Sequence, residues 1–482
     1  MLLRRPSALF WACILSACAL FSLPQLHAED EPAESSSPAQ TEEKPVSFYK
    51  QIVPIFQANC YGCHQPAKAQ GEYEMTSFAN LLKGGATELV AITPGQPDES
   101  NLLDLIIPME GETEAEMPKG KPALSEAEVA LIRTWITQGA VDDTPENRLA
   151  KFDMDHPPVY SRPPVITSLD ISPQGDLIAI AGFHEVLLVN PQGEIVARLI
   201  GMSERINSVH FDPEGKRLVA TGGLPARLGE IQVWDVENRK LLLSKTVTHD
   251  TLFGGNWSPD GKLISFGCTD NTVRAINAET GEQVLFQGAH EDWVRDTVFS
   301  HDGSHLISAG RDMTCKLTEV ATERFVDNIT SITPGVLKGG VGAVARHPER
   351  DEIVVGSADG IPKVYRVHRL TKRVIGDDAN LIRQFPGMMG RIQAVSVSAD
   401  GKRIVAGSAL AGKGAVHVYS YEFDTALPED LKKILEKVAG SRNAEENKKV
   451  DEYRSRDVKQ IAAVPVDSSG IYAIDFFPDG SK

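Results

Sequence analysis

Six times along the C-terminal two-thirds of the chain, an apolar-alternating run meets a tight polar turn and then a second run ending in small residues. The segments are "SLDISPQGDLIAIAG", "SVHFDPEGKRLVATGG", "GNWSPDGKLISFG", "TVFSHDGSHLISAG", "AVARHPERDEIVVGS" and "AVSVSADGKRIVAGS". Period-two alternation bounded by Pro, Asp and Gly marks half-buried strand pairs. The first four turn glycines, Gly175, Gly215, Gly261 and Gly303, are spaced 40, 46 and 42 residues apart. Gly401 continues the series, and Arg350 stands where "ARHPERDE" would carry its glycine. No other feature constrains the fold as strongly. A unit of that length is one small sheet whose apolar faces only stacked neighbours can bury.

This period, with the literal Trp234-Asp235 pair in "IQVWDVENRK", resembles the WD40 repeat; other units degrade the pair to "VRAINAETG" and "VHVYSYE". The resemblance implies an all-β propeller over 164–482, four strands to a blade. A seventh unit, "GIYAIDFFPDGSK", stops just past its turn. About seven blades are therefore expected, the last incomplete. Closure needs the first and last blades to meet, so either 155–167 fills the gap or the chain is a fragment, the reading preferred here. His290, in "GAHEDWVRD", falls where such repeats carry a structural Gly-His pair. Residues 427–457, between the sixth and seventh units, are charged and helix-prone, which reads as a solvated rim insertion, with a partner-docking helix as the alternative. Cys268 and Cys315 sit singly in strands and read as buried small side chains. No nucleophile elbow, phosphate loop or H-E-x-x-H occurs, so no catalytic residue and no substrate site are assigned.

Ahead of the repeats, "QANCYGCHQPAKAQ" packs Cys60, Cys63 and His64 into five positions. C-x-x-C-H is the haem c attachment pattern: two cysteines one turn apart reach the two vinyl groups, and the adjacent histidine faces the iron. The competing readings are a thiol switch, which lacks a thioredoxin-like context, and a zinc site, which lacks a second cysteine pair. One covalent haem c is the expected cofactor, with His64 the proximal iron ligand. For the distal position Met117, in "AEMPKGKPALS", is preferred over Met109 and over Met75, which opens an amphipathic stretch; a second histidine or an open position remains the alternative. Helical patterns flank the motif: Phe48, Ile52, Ile55 and Phe56 on one face, and Val129, Ile132, Trp135 and Ile136 on another, started by a Ser125/Glu128 capping box and stopped by Gly139.

The runs "FYKQIVPIFQANCYGCHQPAKAQGEYEMTSFANLLKGG", "PGQPDESNLLDLI" and "MPKGKPALSEAEVALIRTWITQGA" resemble the planctomycete-type cytochrome c domain. The resemblance implies a small all-α haem domain over 47–141, with Met117-Pro118 at the family's MP segment.

The N-terminus bears on compartment. Arg4 and Arg5 precede an apolar run, Ala8 to Leu23, and Leu26-His27-Ala28 closes it, which reads as a signal peptide over 1–28. An uncleaved anchor is the alternative, and "LSAC" offers a lipobox in which Cys18 would be lipidated, the one route to membrane association. Residues 29–46 are a Ser/Pro/Glu-rich linker and 142–163 a Pro-stiffened one. The chain carries a net charge of -17, which repels phosphate backbones and argues against nucleic acid. The composite expectation is an exported mono-haem electron carrier, periplasmic or in the cell envelope. Its redox partner would dock on the propeller or haem edge. A haem-based sensor or scaffold, or the electron-transfer module of an enzyme whose catalytic domain lies elsewhere, are the alternatives.

Overall fold

The computed structural model describes residues 44–480, apart from 66–67, 88, 146–151, 332–339 and 375. The signal peptide, Cys18 and nearly all of the first linker lie outside the described residues.

The N-terminal part is helical. Ser47 caps a wide helical turn over Phe48–Ile52, which runs on into α1, Val53–Asn59, with Pro54 in its first turn, where the missing N–H costs nothing. Three further helices follow: α2 (Phe78–Lys83), α3 (Asn101–Ile106) and α4 (Glu126–Thr137). α4 begins with the Ser125/Glu128 capping box that its sequence encodes, each side chain satisfying the other residue's backbone N–H. Phe48 stacks on Trp135 at 5.1 Å, and Ile52, Phe56, Ile132 and Ile136 complete the core between the two terminal helices. Each such side chain contributes roughly 1.5–3 kcal/mol on burial.

The rest is a ring of six antiparallel four-stranded sheets. Blade 1 spans Leu169 to Leu199, blade 2 Arg205 to Thr248, blade 3 Leu252 to Gln287, blade 4 Val294 to Asn328, blade 5 Val341 to Gln384 and blade 6 Arg391 to Val466. The first strand of each blade packs beside the first strand of the next, so these strands line the centre. The repeating turn glycines work as the pattern requires: Gly175, Gly215, Gly261, Gly303 and Gly401 all have φ between 66° and 73°, where a Cβ would be strained.

Blade number corrects the expectation of about seven: there are six. The seventh unit contributes no sheet among the described residues. Its segment instead lies between blades 6 and 1. The Ile471 N–H donates to the Ser408 carbonyl, the Ser396 hydroxyl to Asp475 (2.7 Å) and the Arg403 guanidinium to the Gly480 carbonyl (2.8 Å). Pro478 meanwhile reaches the turn at Gly175 of blade 1.

The charged insertion forms two helices. It interrupts blade 6 between its third strand, Lys413–Ser420, and its fourth, Gln460–Val466. Its helices, α5 (Glu429–Leu435) and α6 (Ala444–Ser455), bury Leu431, Leu435, Val450 and Tyr453 in the core shared by blades 5 and 6.

Candidate functional site

The C-x-x-C-H turn caps α1. The Cys60 N–H donates to the Phe56 carbonyl, and the N–H groups of Cys63 and His64 both donate to the Cys60 carbonyl, curling the motif into one compact turn. Burial pushes the Cys60 thiol up to about 12, so it stays protonated and unreactive at neutral pH. Nδ1 of His64 lies 3.1 Å from the Tyr73 carbonyl oxygen. A carbonyl only accepts, so Nδ1 carries the proton and Nε2 keeps its lone pair in the neutral ring. Burial first, offset by backbone hydrogen bonds, leaves the His64 pKa below the ordinary value.

The three methionines part company. Met75 is core, 2% exposed, whereas Met109 is 71% exposed on a loop. Met117 is half-buried against the helical core, its N–H donating to the Leu105 carbonyl. His290 is fully buried in blade 4 with Nδ1 3.0 Å from Asp312 and Nε2 2.8 Å from the Ser308 hydroxyl. It ties a loop to a strand.

What the sequence did not announce is where the turn sits. A Cβ on Gly62 would come within 2.5 Å of the Ser244 carbonyl oxygen, on the outermost strand of blade 2, Lys240–Thr248. That strand is gripped nearby: Lys68 Nζ donates to the Leu242 carbonyl (2.9 Å) and the Thr246 hydroxyl to the Gln57 carbonyl (3.1 Å). Arg227 donates to the Tyr49 carbonyl and stacks over the Tyr49 ring at 4.2 Å. Met202 packs into the helical core. These partners lie up to 189 residues apart in sequence, so no local pattern could reveal them. Only Gly62, the residue that permits the close approach, left a trace.

Family models match in three places: "Planctomycete cytochrome C" over 60–120, "Eukaryotic translation initiation factor eIF2A" over 183–281, and "WD domain, G-beta repeat" over 281–318. The chain carries a WD-repeat propeller and a segment similar to the planctomycete cytochrome model. Haem binding is not thereby shown. Among curated proteins it is similar to Eukaryotic translation initiation factor 3 subunit I of Neosartorya fischeri, 25% identical over 283 residues, 53% of this chain and 79% of that protein. The same subunit of Emericella nidulans is 27% identical over 205 residues, 40% of this chain and 59% of the relative. That of Kluyveromyces lactis is 27% identical over 224 residues, 41% and 61%.

These matches correct the functional expectation. The relatives are named as subunits of a translation initiation factor, and a second translation-factor model matches inside blades 1 to 3. The electron carrier with its bound haem c, the sensor and enzyme-module variants, the redox partner and the periplasmic or cell-envelope location are set aside on that finding. Among the described residues no group of three or more His, Cys, Asp or Glu is arranged for a metal ion. The physical reason is one of scale: a five-residue motif describes one turn of chain and not the function of the whole. The folded mass is chiefly propeller.

Proposed function

We propose that this chain is a WD-repeat scaffold subunit, a rigid ring that holds protein partners in a larger assembly and carries its helical domain as a fixed shoulder. The observation that carries the reading is the clamp on blade 2. Gly62 against Ser244, Arg227 over Tyr49 and Lys68 on Leu242 join two cores that would otherwise hang on a linker. A fixed shoulder widens the surface offered to partners without adding mobility, which lowers the ordering cost of assembly. In this reading Cys60, Cys63, His64 and Met117 shape the shoulder: the first three form the turn that meets the propeller, and Met117 packs behind it. The relatives' name supports membership of a multi-subunit assembly.

The test is light scattering on the chain isolated natively from its own cells, with cross-linking mass spectrometry. The expected result is a species well above the 52.4 kDa of the chain, cross-linked to other proteins through the propeller. A free monomer, above all one bearing a covalent chromophore that absorbs visible light, would overturn the proposal.

A further inference from the structure

Four residues from distant parts of the chain share one level of the ring. Asp170 of blade 1, His210 of blade 2, Ser396 of blade 6 and Asp475 of the segment 471–480 each stand five residues before a turn glycine: Gly175, Gly215, Gly401 and Gly480. Gly480 has φ 66°, as Gly401 does, beside 72° for Gly175 and Gly215. The segment between blades 6 and 1 thus repeats the register of the inner strands.

The contacts follow that order around the ring. The Ser396 hydroxyl donates to Asp475 (2.7 Å), and one Asp170 oxygen lies 3.6 Å from Nδ1 of His210. The other Asp170 oxygen accepts the Phe211 N–H (2.6 Å), tying blade 1 to blade 2. Asp475 and Asp170, on opposite sides of the joint, repel each other. Asp296 of blade 4 adds its field to His210; it accepts from the Val344 and Thr297 N–H groups, with Arg295 beside it. Arg403 serves the backbone instead, donating to the Gly480 carbonyl with its guanidinium 5.5 Å from the Phe476 ring centroid. One imidazole faces three carboxylates. His210 and Asp170 keep 29% and 19% of their side chains accessible, so protons exchange with water at this level.

Neighbouring carboxylates in a desolvated site ionise together only at a cost. Burial first, then repulsion from Asp170, carries Asp475 from 3.8 up to about 6, against the pull of the Ser396 hydroxyl, the Phe476 N–H and His210. Burial opposes charge on His210, but the hydrogen bond and charge of Asp170, with the fields of Asp296 and Asp475, hold its pKa above 6.5. A carboxyl with a raised folded pKa weighs against the folded form as pH climbs from the unfolded value through the folded one. A histidine with a raised folded pKa gives stability that is full below its unfolded value and lost as pH climbs through the folded one. Both changes weaken the joint as pH rises. We propose that this level works as a proton-operated latch: the segment 471–480 is held against blade 1 while one of Asp475 and Asp170 carries a proton and His210 is charged, and it loosens as those protons leave. This goes beyond the scaffold reading and does not rest on it, because a ring must stay closed in any role.

The experiment follows amide exchange of the full chain by mass spectrometry at about pH 5, 6 and 7, each rate divided by that of the unstructured chain at the same pH. Protection over 467–480 and over the inner strand of blade 1 should fall about tenfold from pH 5 to pH 7, while the outer strands of blades 3 to 5 change little. Asp475→Asn cannot ionise and keeps an acceptor for the Ser396 hydroxyl, so it should remove most of that fall. His210→Gln takes away the compensating charge and should deepen it. Should Asp475→Asn fail to fold, Asp170→Asn tests the same pair and should flatten the profile likewise. Wild-type protection that is level or rises with pH, a fall of wild-type size in the Asn variants, or a His210→Gln profile matching the wild type would each overturn the proposal.

Discussion

At the scale of residues, two positions carry consequences. Gly62 sits inside the motif, yet the nearest obstacle to a side chain there is the Ser244 carbonyl of another domain. Gly62→Ala should therefore lift the turn from blade 2, at a cost of about 1–3 kcal/mol. Amide exchange should rise along 240–248 and proteolysis should increase in the 142–163 connector, while blades 3 to 5 stay protected. Asp312 is the second. Burial raises its pKa, but the hydrogen bonds and charge of His290 outweigh that and bring it from 3.8 down to about 2. A carboxyl whose folded pKa lies below its unfolded one adds stability above the unfolded value and loses it as pH falls through the folded one. Asp312→Asn should lower stability at neutral pH and flatten its fall between about pH 4 and pH 2, measured by urea unfolding across that range. An Asn variant whose acid profile matches the wild type would refute this.

At the scale of elements, the insertion in blade 6 shows how tertiary structure reassigns a polar segment. Its charges and helix propensity read as a solvated rim, and helices do form, but α6 lies on Leu381–Gln384, the outermost strand of blade 5. A bare outer strand offers unpaired N–H and C=O groups to other chains, and a covering helix removes that hazard. The pin is Arg383, fully buried between the rings of Phe423 and Tyr453 (4.8 and 4.7 Å). It donates to the carbonyls of Arg456, Asp424 and Ile382. Asp378 adds a second fastening, accepting from Arg442 (2.6 Å) and pairing with Arg454 (2.7 Å). Arg383→Ala empties a fully buried site, removes the donor to three carbonyls, that of Ile382 buried, and should cost about 3 kcal/mol. Exchange should quicken over 427–457 first, and aggregation should follow as the edge is uncovered. In the sequence Arg383 is one arginine in an apolar run, with nothing to mark it as a pin.

At the scale of the whole molecule, the ring closes through residues 471–480, which serve as a wedge between blades 6 and 1. Asp475 on Ser396, Gly480 on Arg403 and Pro478 against Gly175 hold both sides of the joint. Ending the chain at Asp467 should expose the inner strands Leu169–Ile171 and Arg391–Val397. The melting temperature should drop, with rapid exchange confined at first to those two strands. Unchanged melting would mean that blades 6 and 1 meet without the wedge. Repetition made the propeller legible, because a turn glycine every forty-odd residues survives divergence of everything around it. Blade number was not legible. Whether a strand–turn unit forms a sheet of its own is decided by which strands find partners in the fold, and the described residues form six blades.

Sequence alone determined what depends on local spacing: the strand–turn–strand units, the capping box of α4, the compact C-x-x-C-H turn and the buried single cysteines. These follow from periodicity, backbone freedom and hydrogen bonds between near neighbours. Only the tertiary structure decided that the turn rests on blade 2, that the charged insertion covers an edge, and that residues 471–480 lie between blades 6 and 1. Each of those joins residues far apart in the chain, where the deciding quantities are distance and burial.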